Sequence, residues 1–240
     1  MPRTSDARLR LMDAVRSLIW EHSYGATSVD AICLKAGVRK GSFYHFFESK
    51  SILATEALEA DWQARRARLD EMFSPQVPPI ERLRNYFDYL FDRQAAALAR
   101  CGCVLGCPIL SLGCEVSTQD SAIRSKVQDL LGRQLRYFET AIRDAHGEGA
   151  IVAPNPRAKA RSVYALIQGA LTQARILDDL EVLRDARLGL FDLLGIPFPS
   201  VPLVPLVPSP KATANRDASV FSPAVEFNAE AGSGVSSARI

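Results

Sequence analysis

Apolar side chains along the 240 residues recur three and four apart, the spacing of one helix face, and no stretch sustains the alternation of a half-buried strand. Leu11, Met12, Val15, Leu18 and Ile19 predict a first amphipathic helix that ends within 23–26. Thr27, Ser28, Val29 and Asp30 have the form of a capping box, a hydroxyl followed three residues on by a carboxylate. They predict a short second helix that stops at Ala36-Gly37-Val38, and a third short helix is expected over 39–47. Ser49 and Lys50 open a longer fourth helix that carries Ala54, Leu58 and Leu69 and ends at Ser74-Pro75. Leu83, Tyr86, Phe87, Leu90 and Phe91 mark a fifth, and Pro108 suits the first turn of a sixth. A seventh spans 122–145, Pro156 opens an eighth that reaches Asp178, and a ninth over 181–194 is closed by Gly195 and Pro197. The chain is therefore expected to be all-α with about nine helices.

The pattern breaks at Gly195. Residues 196–210 hold six prolines, and the remainder is rich in Ala, Ser and Gly, so 197–240 is expected to be a Pro-rich, disordered tail. Two further divisions are expected before it, a domain over 1–52 and a helical one over 53–196. No run of about 18 apolar residues exists to span a bilayer. The polar start of the chain lacks the apolar core of a secretory signal, so a cytoplasmic location is expected. An odd count of five cysteines argues against a disulfide framework.

Net charge is only +2, so any polyanion-binding surface must be local. Residues 1–50 carry eight basic against five acidic side chains, which puts +3 there and −1 on the rest. Two short helices joined through Ala36-Gly37-Val38, after a longer first helix, form a tri-helical helix-turn-helix pattern. Taken alone, the charges suit an ordinary solvated face as well as a DNA-binding one.

The wording of this segment is more specific than its charge. Ala26-Thr27-Ser28-Val29-Asp30-Ala31-Ile32, followed by Ala36-Gly37-Val38-Arg39-Lys40-Gly41-Ser42-Phe43-Tyr44-His45-Phe46-Phe47-Glu48-Ser49-Lys50, resembles the amino-terminal signature of TetR-family transcriptional regulators. The resemblance covers about 8–55 strongly; Gly106-Cys107-Pro108-Ile109 through Glu115 and Gln168-Gly169-Ala170-Leu171 look like pieces of one regulatory domain of that family. Ser23 stands where the family has glycine, Cys33 where it has alanine and Ile19 where it has phenylalanine.

The resemblance implies a three-helix DNA-binding domain in a two-fold dimer, followed by a helical domain that binds a small-molecule effector and holds the dimer interface. It implies a regulator, expected to be a repressor, that binds a palindromic double-stranded operator as a homodimer and is released by its effector. Carried over by position, Thr27 and Ser28 would bind phosphate at the start of the second helix, where free amides and the helix dipole favour an anion. Tyr44 and Lys50 would also contact phosphate, and Arg39, Lys40, Ser42 and His45 lie along the recognition helix within reach of base edges. Tyr44 and His45 also suit plain packing and solvent exposure respectively, and Phe43 and Phe47 are expected in the core.

Candidate effector contacts are Tyr86, Tyr89, Phe91, Cys107, Phe138 and Tyr164, which serve equally well as core residues. Dimerisation is expected on the eighth and ninth helices, where Ala165, Gly169 and Ala170 permit close approach and Leu166, Leu171, Leu183, Leu190 and Leu194 supply apolar surface. Cys101, Cys103, Cys107 and Cys114 lack the paired C-x2-C knuckles of a structural zinc site, and neither a metal nor a cofactor is expected. Pro108 places Cys107 near a helix start, where a lowered thiol pKa would suit an alternative role as a redox or electrophile sensor. The chain has no G-x-S-x-G, G-x-G-x-x-G, P-loop or H-E-x-x-H motif, and a helical enzyme is a distant second class.

Overall fold

Nine α-helices and no strand make up residues 3–196, which the computed structural model describes: α1 (Arg3–Glu21), α2 (Val29–Ala36), α3 (Lys40–Phe46), α4 (Lys50–Met72), α5 (Pro79–Cys101), α6 (Pro108–Val116), α7 (Ser121–Gly147), α8 (Pro156–Leu177) and α9 (Glu181–Leu194). The Pro-rich segment 197–240 lies outside the described residues. No described helix is long and apolar enough to cross a membrane.

The helix-turn-helix is built as the sequence dictates, with one shift of register at its cap. Ser28, not Thr27, caps α2: its hydroxyl oxygen accepts from the Ala31 amide at 3.0 Å. Thr27 is buried, and its own hydroxyl donates to the Ser23 carbonyl at 2.6 Å, which removes it from the capping role. Gly37 then takes a left-handed conformation (φ 63°, ψ 39°), while the amides of Gly37 and Val38 close on Leu34 and Cys33. A residue with a Cβ would be strained there, so glycine sets the angle between α2 and α3. Leu11, Val15, Ile32, Phe43, Phe47 and Leu53, none more than 1% exposed, form the core that fixes α1 to α4. Ile19 and Cys33 are buried in the same core, and Ser23 accepts from the Ala26 amide at 3.2 Å, so all three departures from the family pattern are absorbed.

In the larger domain α7 lies against α4, α5, α6 and α8, and α8 packs on α9. Phe73, Tyr86, Phe138 and Tyr164 pack in a tilted and edge-to-face row, with ring centroids 5.0 to 5.8 Å apart. The apolar stripe assigned above to dimerisation is largely spent within one chain: Leu171, Leu183, Leu190 and Leu194 are each at most 2% exposed, and Ala170 is buried. They face the seam between α8 and α9 and the core beneath, where burial within the chain claims them first. The outward side of the pair keeps Ala165, Gly169, Ile176, Leu177 and Leu188.

Candidate nucleic-acid interface and internal pocket

α3 buries Phe43 and presents Lys40, Gly41, Tyr44 and His45, which recur on the opposite face of its two turns. Arg39, extended just before the helix, is exposed, Ser42 is half-buried, and Tyr44 stands 55% exposed while its ring edge packs on Phe43 at 5.1 Å. His45 rests against Phe46 at 4.9 Å. Lys40 pairs with Asp30 at 2.9 Å, and that hydrogen bond holds its ammonium above the usual lysine range. Ser28 is exposed at the start of α2, whereas Thr27 points inward. Leu34, 84% exposed beside the turn, is a feature that apolar periodicity did not single out.

Lys50 is placed differently from a purely phosphate-facing lysine. Its ammonium donates to the carbonyls of Tyr24 at 2.9 Å and Thr27 at 2.8 Å and sits 4.0 Å above the Tyr24 ring. Burial depresses its pKa, partly opposed by the Glu115 carboxylate. Lys50 thus ties the α1–α2 turn to α4 and leaves one N–H for any other partner.

The second site is a small internal pocket of about 30 Å³, lined among others by Tyr86, Cys107, Gln134, Tyr164 and Gln168. Three of the expected effector contacts, Tyr86, Cys107 and Tyr164, meet there. Tyr89 and Phe138 do not line it: Phe138 belongs to the edge-to-face aromatic core, and the Tyr89 ring lies beside Tyr86 and under Arg93. Phe91 is buried beneath the Arg184 guanidinium. Burial raises the Tyr86 and Tyr164 hydroxyls well above their ordinary pKa, so both remain neutral donors.

Sequence reasoning missed the polar members of this wall. Gln134 and Gln168 are 4% and 7% exposed, and the Gln134 Nε2 and Gln168 Oε1 atoms have no hydrogen-bond partner. Each such buried orphan costs about 1–3 kcal/mol. A glutamine on an apolar stripe was the available signal: Gln134 lies four residues from both Leu130 and Phe138, and Gln168 four from Tyr164. Gln94, buried nearby, is satisfied, for its Oε1 accepts from the amides of Leu105 and Gly106 and its Nε2 donates to the Gly106 carbonyl. Next to the cavity, a cleft of about 390 Å³ shares Trp20, Arg93 and Pro108 with it. Larger grooves of about 620 and 610 Å³ along α7 are lined by neither glutamine.

The expectation of an acidified Cys107 thiol is reversed. Cys107 precedes α6 as foreseen, but its side chain makes no capping hydrogen bond. Burial pushes its pKa up, outweighing the nearby amides of Leu110 and Ile109 and the arginines at 65 and 93. Cys101 and Cys114 are the exposed thiols.

α6 joins the two sites. Its first residues wall the cavity, and Glu115 near its other end accepts from the amides of Tyr24 at 2.9 Å and Gly25 at 2.6 Å, in the turn before α2. Arg175 donates to the carbonyls of Leu105 and His22, each at 3.0 Å, and the Trp20 indole donates to Gly106 at 3.1 Å.

A tri-helical helix-turn-helix seated on a helical domain with a small internal pocket defines a DNA-binding regulator. The family model described as bacterial regulatory proteins, tetR family, matches residues 11–57, and the model for the tetracyclin repressor-like C-terminal domain matches 79–190. The chain belongs to the TetR family and is a helix-turn-helix transcriptional regulator. It is 30% identical to the transcriptional regulator AcuR of Cereibacter sphaeroides over 178 residues, which cover 73% of this chain and 79% of that one. It is similar to the crystal structure of Escherichia coli NemR in its reduced form, with 25% identity, a TM-score of 0.68 and coverage of 80% of this chain and 100% of that one. A TetR regulatory protein structure from Rhodobacter sphaeroides gives 26% identity, a TM-score of 0.70 and coverage of 78% and 98%.

Proposed function

We propose that this regulator is a cytoplasmic, non-enzymatic repressor that binds a palindromic operator as a homodimer and leaves it when a small effector enters the internal pocket. The DNA-binding part is carried by the exposed face of α3, with Arg39, Lys40, Ser42 and His45 toward base edges and Ser28 and Tyr44 toward phosphates. Lys50 acts by holding the turn from which α2 starts, with its remaining N–H available to phosphate, and Thr27 acts from inside the same turn. Repression is supported by the relative NemR, named a transcriptional repressor and 24% identical over 80% of this chain.

Electrophoretic shifts with the DNA flanking the gene and a scrambled duplex test the roles. Tyr44→Phe is expected to weaken both complexes equally, because a phosphate contact carries no sequence information. Arg39→Ala is expected to narrow the gap between the two duplexes by about 1–3 kcal/mol, the usual loss for a base-reading side chain. The reverse pattern would exchange their roles.

The effector part rests on the unpartnered atoms of two glutamines that line the pocket: one offers a donor and the other an acceptor, so the ligand needs one of each. An effector that fits only when α6 shifts would disturb Glu115's hold on the Tyr24-Gly25 turn and favour a dimer with mis-spaced recognition helices. Gln134→Leu is expected to leave the melting temperature unchanged or higher, since it removes a buried orphan donor, while DNA release by an active effector is lost. A destabilised variant that still responds would assign Gln134 to packing.

A further inference from the structure

The sequence Cys101-Gly102-Cys103 belongs to neither site. α5 ends at Cys101, Gly102 caps it in the left-handed conformation (φ 75°), and that turn brings the two Sγ atoms to 3.9 Å. Cys101 is exposed and Cys103 half-buried, and beyond these two neighbours no atom lies within 4 Å of where a Cβ on Gly102 would stand, so the turn is open to solution. The other thiols are set apart by environment: Cys33 is buried, Cys107 faces the cavity, and Cys114 lies well along α6.

We propose that Cys101 and Cys103 form a dithiol–disulfide couple that low-molecular-weight disulfides oxidise. The sulfurs must close from 3.9 Å to about 2.0 Å, a span that rotation about the two Cα–Cβ bonds supplies. Cys101, the exposed member, loses its proton, and its thiolate attacks one sulfur of the disulfide RSSR; the S–S bond breaks, and RS⁻ leaves and takes up a proton. The Cys103 thiolate then attacks Cys101 Sγ, the mixed disulfide breaks, and a second RS⁻ leaves and is protonated. Two protein thiols are oxidised and one RSSR is reduced to two RSH.

The couple sits where closure is felt by both sites. Cys101 now donates its S–H to the Ala97 carbonyl at 3.0 Å, a contact that oxidation removes from the last turn of α5. Arg100 in that turn holds Glu21 of α1 at 3.0 Å, and Glu21 holds Lys35 of α2 at 3.1 Å. On the far side Val104 donates to Asp178 at 2.7 Å, two residues before Gly106, which lines the pocket. Closing the ring draws Arg100 from Glu21 and loosens α1 beneath the recognition helix. The oxidised protein therefore binds operator more weakly, by about fivefold or more. This effect on DNA rests on the DNA-binding role proposed above; the disulfide chemistry does not.

The test equilibrates the full chain with reduced and oxidised glutathione, quenches with acid, alkylates the free thiols and maps them by tandem mass spectrometry. Cys101 and Cys103 are expected to lose alkylation together, with the loss of two hydrogens, in the wild type and in Cys107→Ser alike. Cys103→Ser is expected to stop at a glutathione adduct on Cys101. A wild type that accumulates that adduct, or a bond from either cysteine to Cys107, Cys114 or a second chain, would overturn the couple. Anisotropy of a labelled duplex from the DNA flanking the gene then reads affinity: the oxidised wild type binds more weakly and the double variant Cys101→Ser, Cys103→Ser shows no such change. Equal affinities of the oxidised and reduced wild type would overturn the regulatory part. Failure of the reduced protein to bind would overturn the DNA-binding role instead and leave the couple to its mass data.

Discussion

Arginine at both Ala165 and Gly169 is expected to give a folded monomer whose affinity for operator DNA falls by about 10²- to 10⁴-fold, the avidity lost when two half-sites are no longer engaged together. Both positions lie on the outward side of α8, and apart from its chain neighbours and the backbone of its own helix no atom lies within 4 Å of where a Gly169 side chain would start. Within one chain the substitutions therefore cost little, and replacing a helical glycine favours the helix. Ile176, 75% exposed, and Leu188, 37% exposed, continue the apolar character of that side, and small residues among them let a second copy approach closely. Leu190 and Leu194 are poor probes of the same interface, because each is at most 2% exposed in a single chain and a charge there would unfold it. Sedimentation equilibrium distinguishes the outcomes: a dimer that survives both arginines places the interface on another surface.

Arg82→Ala is expected to lower stability by about 3 kcal/mol, the low end for breaking a buried ion pair, because Arg143 still reaches Asp144 at 3.2 Å. Arg82 is 3% exposed, pairs with Asp144 of α7 at 2.6 Å, and donates to the carbonyl of Val77 at 2.7 Å. One side chain thereby joins α5 to α7 and pins the loop before α5, so its loss leaves the Val77 carbonyl without this donor and Asp144 with Arg143 alone. The Arg82 hydrogen bond, backed by Arg143, holds the Asp144 carboxyl below its ordinary pKa. A depressed folded pKa means that this stabilisation is complete above the ordinary carboxylate pKa of about 4 and disappears as pH falls through the lower folded value. Urea denaturation at neutral pH should show the full difference between wild type and variant, and a series toward acid should show the two converging. A loss under about 1 kcal/mol at neutral pH would remove Arg82 from the framework.

Helix number, the glycine at the α2–α3 corner and the proline starts of α6 and α8 were legible because each has a local cause. Gly37 needs positive φ, and Pro108 and Pro156 occupy first-turn positions that lack an amide partner in any case. The cap of α2 was read one residue early because Thr27 and Ser28 both have hydroxyls, and only the fold reveals which one the Ser23 carbonyl captures. Periodicity identified Leu190 and Leu194 as apolar, yet it carries no record of whether the covering surface is the same chain or another. The Cys107 thiol went astray for a similar reason: a helix start is visible in sequence, whereas the desolvation that outweighs it depends on Tyr86, Gln134 and Tyr164 arriving from three other helices. The same convergence hid the pocket's polar wall, since Gln134 and Gln168 lie 34 positions apart in sequence and meet only across α7 and α8.

Hydroxyl-radical footprinting of the purified protein on the DNA flanking its gene, with and without competing scrambled duplex, reads the DNA-binding role most directly. A dimer with two exposed α3 helices should protect two patches related by a dyad, with half-site centres about 34–36 Å or a multiple of that apart, and Arg39→Ala should erase the pattern at concentrations where the wild type is saturated. Protection without dyad symmetry, or a footprint that scrambled DNA competes away equally well, would contradict an operator-binding dimer built on this helix.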